Sequence, residues 1–309
     1  MPESVPTMIK TIGMVGIGSM GWPMAARLIK SGYHVIVYDI IQDHATKFVK
    51  EVGGEASNVL STIGEKSDVV ITMLPNSSIV TDVIFGSNGM AASLRKGTRL
   101  IEMTSGIPSS TLALSERLLP LGVLTIDAPV SGGVKRAVSG ELAIMVGGET
   151  SVIDTLEPVL KAMGRSIIRT GKLGSGQAMK ALNNLVSAAG FLVGIEALLI
   201  GQAAGLDPAM MVDVLNVSSG RNNSTEAKFK QFVLSRKFDS GFSLDLMVKD
   251  LSIAMDVAKD GKLPAPFSAL CKELWASAAI VLGPGNDHTA VTKFSEKLAG
   301  AELNKNESG

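Results

Sequence analysis

The feature that most constrains this chain is Gly16-Ile17-Gly18-Ser19-Met20-Gly21, which follows the apolar run Thr11-Ile12-Gly13-Met14-Val15. It opens into residues 22–30, which have helical spacing with Pro23 in the first turn, before Ser31-Gly32 stops the helix. A strand, a glycine loop and a helix N-terminus in that order form a pyrophosphate site. The first glycine allows a tight turn, the second leaves backbone amides bare, and the third lets the helix lie close to the sheet. Asp39 closes a second apolar run, Val35-Ile36-Val37-Tyr38, at the distance where a dinucleotide's ribose would sit. A carboxylate there accepts from both ribose hydroxyls and repels a 2′-phosphate. No Arg follows within Ile40-Ile41-Gln42-Asp43, so the pattern predicts NAD rather than NADP.

The 309 residues are 46% apolar, enough for a large core and for two domains. Twenty-nine basic residues balance twenty-nine acidic ones, which leaves no global field to draw in nucleic acid or an anionic membrane; the expected partner is a small molecule. Cys271 is the single cysteine, so a disulfide framework and a thiolate metal cluster are excluded. His34, His44 and His288 have no metal-ligand spacing, and no metal is expected. Met1-Pro2-Glu3-Ser4-Val5-Pro6 carries an acid and two prolines where a signal peptide needs basic and then apolar residues, so a cytoplasmic location is expected.

After Asp39 the pattern alternates. Short apolar runs suited to buried parallel strands occur at 68–74, 99–103, 124–127, 142–146 and 167–170, with helical spacing at 79–85, 109–119 and 153–162. This predicts an α/β fold whose N-terminal domain, residues 1–172, is a Rossmann-type doubly wound sheet. From residue 173 to 309 strand patterns almost disappear, and an all-α C-terminal domain is predicted, joined by a long interdomain helix at about 176–204. That helix is nearly apolar on every face. Lys180, Asn183, Asn184, Glu196 and Gln202 would be costly in lipid, so it is expected as a helix buried between domains rather than a membrane span. Residues 1–9 and 301–309 are expected to be mobile polar ends.

Two places could hold chemistry. Lys180 follows Gly174-Ser175-Gly176 early on the long helix, with Asn184 one turn further along the same face. It either extends to solvent or serves as an acid/base, since a buried amine gives up its proton more readily than one in water. Asp127-Ala128-Pro129-Val130-Ser131-Gly132-Gly133 leaves a strand at the sheet edge where ligands of such folds collect. Ser131 with the amides of Gly132 and Gly133 could hold a carboxylate, or the stretch is an ordinary strand-to-helix loop. Spacing alone assigns nothing to Lys249 and Asp250.

Taken together, residues 16–21, Leu74-Pro75, residues 127–133, residues 174–184 and Lys249-Asp250 resemble the β-hydroxyacid dehydrogenase family over roughly residues 11–298. The resemblance implies that Lys180 is the catalytic acid/base, that Asn184 orients it and the substrate, and that Ser131, Gly132 and Gly133 bind the substrate carboxylate. It also implies that Lys249 lies over the nicotinamide region and that Leu74, Pro75, Thr104 and Ser105 line the cofactor, beside Gly16, Ile17, Gly18, Ser19, Met20, Gly21 and Asp39. The implied reaction is reversible, metal-free oxidation of a short 3-hydroxy acid to a semialdehyde or ketone. A homodimer or homotetramer is implied as well.

The chain departs from the hydroxyisobutyrate subgroup after Arg221. An aromatic residue belongs two positions on, where this chain has Asn222-Asn223-Ser224-Thr225. Polar groups in a pocket disfavour an apolar methyl branch, so Arg221, Asn222 and Asn223 are candidates for recognising a substrate with polar distal groups; the alternative is that they cap a helix. Tartronate-semialdehyde-type reduction is an alternative activity. Phosphogluconate dehydrogenases would place a histidine and an acid where this chain has Asn183 and Ser187, and imine reductases usually lack the lysine. A non-catalytic NAD-binding scaffold would have no need of Lys180, Asn184 and Ser131 together.

Overall fold

The structure, a computed structural model, describes residues 9–303. Most of the expected mobile ends lies outside the described residues. Where they are described the expectation fails: Ile9 packs on the core, and Leu303 is buried with its amide donating to Glu296 Oε1 at 2.9 Å. The chain divides into two compact units, Met1–Lys180 and Ala181–Gly309.

In the first unit the strands are β1 (Thr11–Val15), β2 (His34–Tyr38), β3 (Glu55–Ala56), β4 (Val69–Thr72), β5 (Arg99–Glu102), β6 (Leu124–Asp127), β7 (Val130–Ser131), β8 (Leu142–Gly147) and β9 (Gly164–Gly171). The order across the sheet is β3-β2-β1-β4-β5-β6-β8-β7, with β9 also on β8. Strands β1 to β6 run parallel, so every connection between them is a crossover, and the sheet has two covered faces. The side-chain alternation bears this out. Ile12, Met14, Val35, Val37, Val69 and Ile71 join one buried cluster, while Val15, Ile36, Val70 and Leu100 join another on the opposite face. Each fully buried aliphatic side chain contributes about 1.5–3 kcal/mol, so the sheet is held from both sides. The expected Rossmann-type doubly wound sheet is therefore present.

Two strands escaped the sequence reading. β3 is two residues long, too short for any periodicity. β7 falls in the motif expected as an irregular stretch, where Val130 and Ser131 pair antiparallel with Ile144 and Ala143. β8 is also antiparallel to β6.

The helix Ser175–Ala203 begins in the first unit and continues through the second, which is built from it and from Pro208–Asn216, Asn223–Ala227, Leu244–Asp260, Pro266–Leu282 and Val291–Ala299, with a π-helical turn at Phe229–Val233. The all-α second unit was expected. Its core centres on Phe191 of the long helix, which packs on Phe229 and Trp275 at centroid distances of 5.2 and 6.1 Å. The long helix is apolar and long enough to cross a membrane, yet half of its most apolar stretch is buried in the protein. The helix, expected to be buried, leaves one apolar stripe uncovered in the described chain. Val186, Val193 and Ile200 are 74%, 56% and 70% exposed, because their seven-residue spacing places them opposite the core residues Ala188, Ile195 and Leu198.

Candidate active site

The glycine loop has the geometry its spacing predicts. Gly16 has φ of 89°, its amide donates to the Tyr38 carbonyl at 2.8 Å, and a Cβ there would strike the Met73 carbonyl oxygen. A Cβ at Gly21 would strike the Gly16 carbonyl oxygen, so the turn closes on itself only with glycine at both ends. At Gly18 a Cβ would meet nothing within 4 Å. This open approach to a helix N-terminus fits a pyrophosphate, and the helix Gly21–Lys30 has no acid in its first turn to oppose it. Ile17, Ser19 and Met20 lie in the loop before that helix, with Ile17 buried and Ser19 exposed.

Asp39 follows β2, is 8% exposed, and is itself part of the loop's support. Its Oδ2 accepts from the Ile17 amide at 3.0 Å and its Oδ1 from the Ile41 amide at 2.9 Å. The His44 ring nitrogen Nδ1 comes within 3.9 Å of Oδ1. The cradle and the carboxylate together fit a dinucleotide with an adenosine ribose on Asp39.

The next two strand ends are tied together. Leu74 follows β4, and its amide donates to Thr104 Oγ1 at 2.9 Å, while Thr104 is fully buried after β5. Pro75, exposed, and Ser105, half-buried, adjoin them. Beyond β6, Ser131 is half-buried on β7, and Gly132 and Gly133 are exposed where the helix Gly133–Ser139 begins.

Lys180 sits on the second turn of the long helix and is 8% exposed, which removes the reading of a lysine extended to solvent. The helix is fixed at its start by Asp127, whose Oδ1 accepts from the Gly174 amide and Oδ2 from the Gln177 amide, each at 2.7 Å. Gln177 in turn accepts from the Gly106 amide at 2.8 Å and donates to the Thr104 carbonyl at 2.6 Å. Burial raises the Asp127 carboxyl above its ordinary range, against the lowering effect of the amides it binds. On the adjoining strand Glu102 is 1% exposed and Oε2 has no hydrogen-bond partner; burial, opposed by the Thr111 hydroxyl and reinforced by the charge of Asp127, pushes it up to about 7.

In the second unit Asn184 is 7% exposed and its Nδ2 donates to Asp250 Oδ2 at 2.6 Å. Lys249 Nζ lies 3.3 Å from Asp250 Oδ1 as an ion pair without hydrogen-bond geometry. Asp250 was not among the expected site residues. Its signal lay in the pattern: it falls on the face of Leu244–Asp260 that buries Met247, Leu251 and Ala254, where a carboxylate needs a reason. Asp127 and Gln177 were also missed as site residues, since nothing in spacing shows that a strand end and a helix start will meet.

Arg221 and Asn222 have local partners. Asn222 caps Asn223–Ala227, with Oδ1 accepting from Ser224 and Thr225 amides at 2.8 and 3.2 Å, and its own amide donates to Thr225 Oγ1 in a capping box. Its amide group lies beside Gly190 of the long helix. Arg221 is exposed and pairs with Glu226 at 3.5 Å, and Asn223 is exposed. Among the described residues no cluster of metal-ligating side chains occurs.

Residues 11–171 match the family described as the NAD binding domain of 6-phosphogluconate dehydrogenase, and residues 174–295 match that described as NAD-binding of NADP-dependent 3-hydroxyisobutyrate dehydrogenase. The 2-(hydroxymethyl)glutarate dehydrogenase of Eubacterium barkeri is 36% identical over 94% of this chain and 97% of that protein. The mitochondrial 3-hydroxyisobutyrate dehydrogenase of Mus musculus is 36% identical over 85% and 80%, and the L-threonate dehydrogenase of Cupriavidus necator is 32% identical over 93% and 96%. Among solved structures, Mycobacterium tuberculosis 3-hydroxyisobutyrate dehydrogenase with L-serine superposes with a TM-score of 0.85 at 31% identity, covering 93% of this chain and 99% of that one. Psf3 in complex with NADP+ and 2-OPP gives a TM-score of 0.82 at 25% identity, over 92% and 99%.

Proposed function

The chain belongs to the β-hydroxyacid dehydrogenase family, an NAD(P)-binding dehydrogenase acting on CH–OH, and we propose that it reversibly oxidises a short 3-hydroxy carboxylate with polar distal groups, using NAD and Lys180 as acid/base. What supports this most is Lys180 itself: a lysine 8% exposed, one turn before an equally buried Asn184, on a helix bolted at its start to the strand ends beside the dinucleotide cradle. Burying an amine is costly, and a position that retains one is a candidate for acid/base chemistry.

The coenzyme would sit on residues 16–21 with its ribose on Asp39, and when bound it supplies the hydride acceptor. The remaining work belongs to the chain. Lys180 takes the proton from the substrate hydroxyl as the carbinol carbon is oxidised, and returns it in reduction. Asn184, held by Asp250, orients the lysine and the substrate oxygen. Ser131 and the amides of Gly132 and Gly133 bind the carboxylate. Lys249, which pairs with Asp250, is assigned to the nicotinamide region by the family resemblance alone, and Leu74, Pro75, Thr104 and Ser105 are assigned to the cofactor wall.

The carboxylate of Asp39, with no arginine beside it, favours NAD over NADP. Polar distal groups are favoured because Asn223, flanked by Arg221 and Asn222, stands where the hydroxyisobutyrate subgroup has an aromatic residue suited to a methyl branch. Two relatives are named for acids that carry an additional carboxylate or hydroxyls. Reduction of a semialdehyde of the tartronate type is the second reading. A homodimer or homotetramer fits the exposed Val186, Val193 and Ile200 stripe, and a reducing cytoplasm fits the lone, buried Cys271.

The test is a panel of 3-hydroxyisobutyrate, 2-(hydroxymethyl)glutarate and L-threonate, each assayed with NAD and with NADP. The expected result is turnover with NAD and a higher kcat/KM for one of the polar acids. A preference for 3-hydroxyisobutyrate over both would overturn the distal-group assignment, and no turnover of any would overturn the activity.

A further inference from the structure

We infer that Gln177 is a positioning residue that couples the cofactor wall to Lys180, an inference that rests on Lys180 acting as the acid/base. Gln177 is 1% exposed and lies three positions before Lys180 on the same helix. Its side-chain amide uses both ends on one loop: Oε1 accepts from the Gly106 amide at 2.8 Å and Nε2 donates to the Thr104 carbonyl at 2.6 Å. Thr104 carries the bond onward, because its Oγ1 accepts from the Leu74 amide at 2.9 Å. The Gln177 amide meanwhile donates to Asp127 Oδ2 at 2.7 Å. The Gln177 side chain thus ties the loop after β5 to the helical turn that precedes the lysine, while its backbone amide holds the end of β6 and Thr104 holds the end of β4.

The space around this contact is filled. A Cβ at Gly106 would strike Ser77 Oγ, and would also lie 3.4 Å from Glu102 Oε1 and 3.6 Å from Gln177 Nε2. Ser77 Oγ itself accepts from the Ile107 amide at 2.9 Å. Close packing at Gly106 and the two bonds from Gln177 together hold the loop after β5 against the helix. Such a two-ended amide clamp fixes the height of Lys180 relative to the loops that line the cofactor. Displacement of a reacting group by about 1 Å can cost roughly a hundredfold in rate even when binding is kept.

Glutamate at this position gives a reversible test. Protonated, it reproduces both bonds; ionised, it still accepts from Gly106 but presents a second acceptor to the Thr104 carbonyl. The titratable groups around it are Asp127 and Glu102 on the strand ends and Lys180 a turn on. Wild type, Gln177→Leu, Gln177→Glu and Lys180→Ala should be compared in the panel acid that turns over, in NADH titrations by fluorescence, and by amide exchange at Gly106.

The expected result is that Gln177→Leu loses roughly 30- to 100-fold in kcat with a much smaller change in NADH affinity, and that Gly106 exchanges faster. Gln177→Glu should work at acidic pH and lose kcat as pH rises, a loss that the wild-type profile does not show over the same range. A Gln177→Glu profile parallel to wild type, with Gly106 equally protected, would overturn the inference even if Gln177→Leu failed to fold. Retention of activity in Lys180→Ala would instead overturn the functional reading on which it rests.

Discussion

At the scale of single residues, what distinguishes this chain is how many carboxylates it buries near one sheet edge. Glu102 is the clearest case, since its pKa rises from 4.5 to about 7 on folding through burial. The folded state then holds a proton that the unfolded state has lost between those values, so stability falls as pH rises through that window and is level above it. Glu102→Gln removes the effect. Its stability relative to wild type should improve by about 3 kcal/mol between pH 4.5 and pH 8, measured by urea denaturation at both pH values; a constant difference would contradict the burial argument. Asp39 is read through selectivity. Asp39→Asn keeps the shape and removes the charge, and should shift the NADP-to-NAD ratio of kcat/KM upward by roughly tenfold or more. An unchanged ratio would mean that the ribose does not meet this side chain. Both residues show how far sequence goes: Asp39 was legible because it ends an apolar run at a fixed distance from the glycines, whereas its bonds to the Ile17 and Ile41 amides belong to tertiary geometry and had no signal.

At the scale of elements, the long helix and the short helix after Arg221 pose opposite problems. The helix Ser175–Ala203 was legible in length and position from its unbroken apolar pattern, but its exposed stripe was not, because Val186, Val193 and Ile200 are as apolar as the residues they back onto. If that stripe meets a second copy, Val193→Glu should lower the mass in solution, as read by light scattering, without reducing the melting temperature of the folded chain. An unchanged mass would leave the stripe outside any interface. The short helix Asn223–Ala227 was open between a cap and a substrate contact, and Asn222 does cap it. Asn222→Asp preserves a good cap and alters the amide, whereas Asn222→Ala loses the cap and should cost about 1 kcal/mol. If Asn222 also meets the substrate, Asn222→Asp should raise KM for an acidic substrate while stability holds. Unaltered kinetics would restrict Asn222 to capping.

At the scale of the whole molecule, the two units are built on different physics. The first is a mostly parallel sheet covered on both faces, with fixed strand ends; the second is helical and buries Asp250 against Asn184. The doubly wound sheet could be read from alternation alone, because buried parallel strands and amphipathic helices leave opposite periodicities. The bonds of Asp127 to Gln177 and of Asp250 to Asn184 could not, since each depends on which side chains meet after folding. The central claim is that Lys180 carries the proton. Its most direct measurement is the turnover of Lys180→Ala beside wild type, with NADH binding followed in the same samples: the expected result is a loss of roughly a hundredfold or more in kcat with NADH affinity retained, and a variant that turns over at the wild-type rate would contradict it.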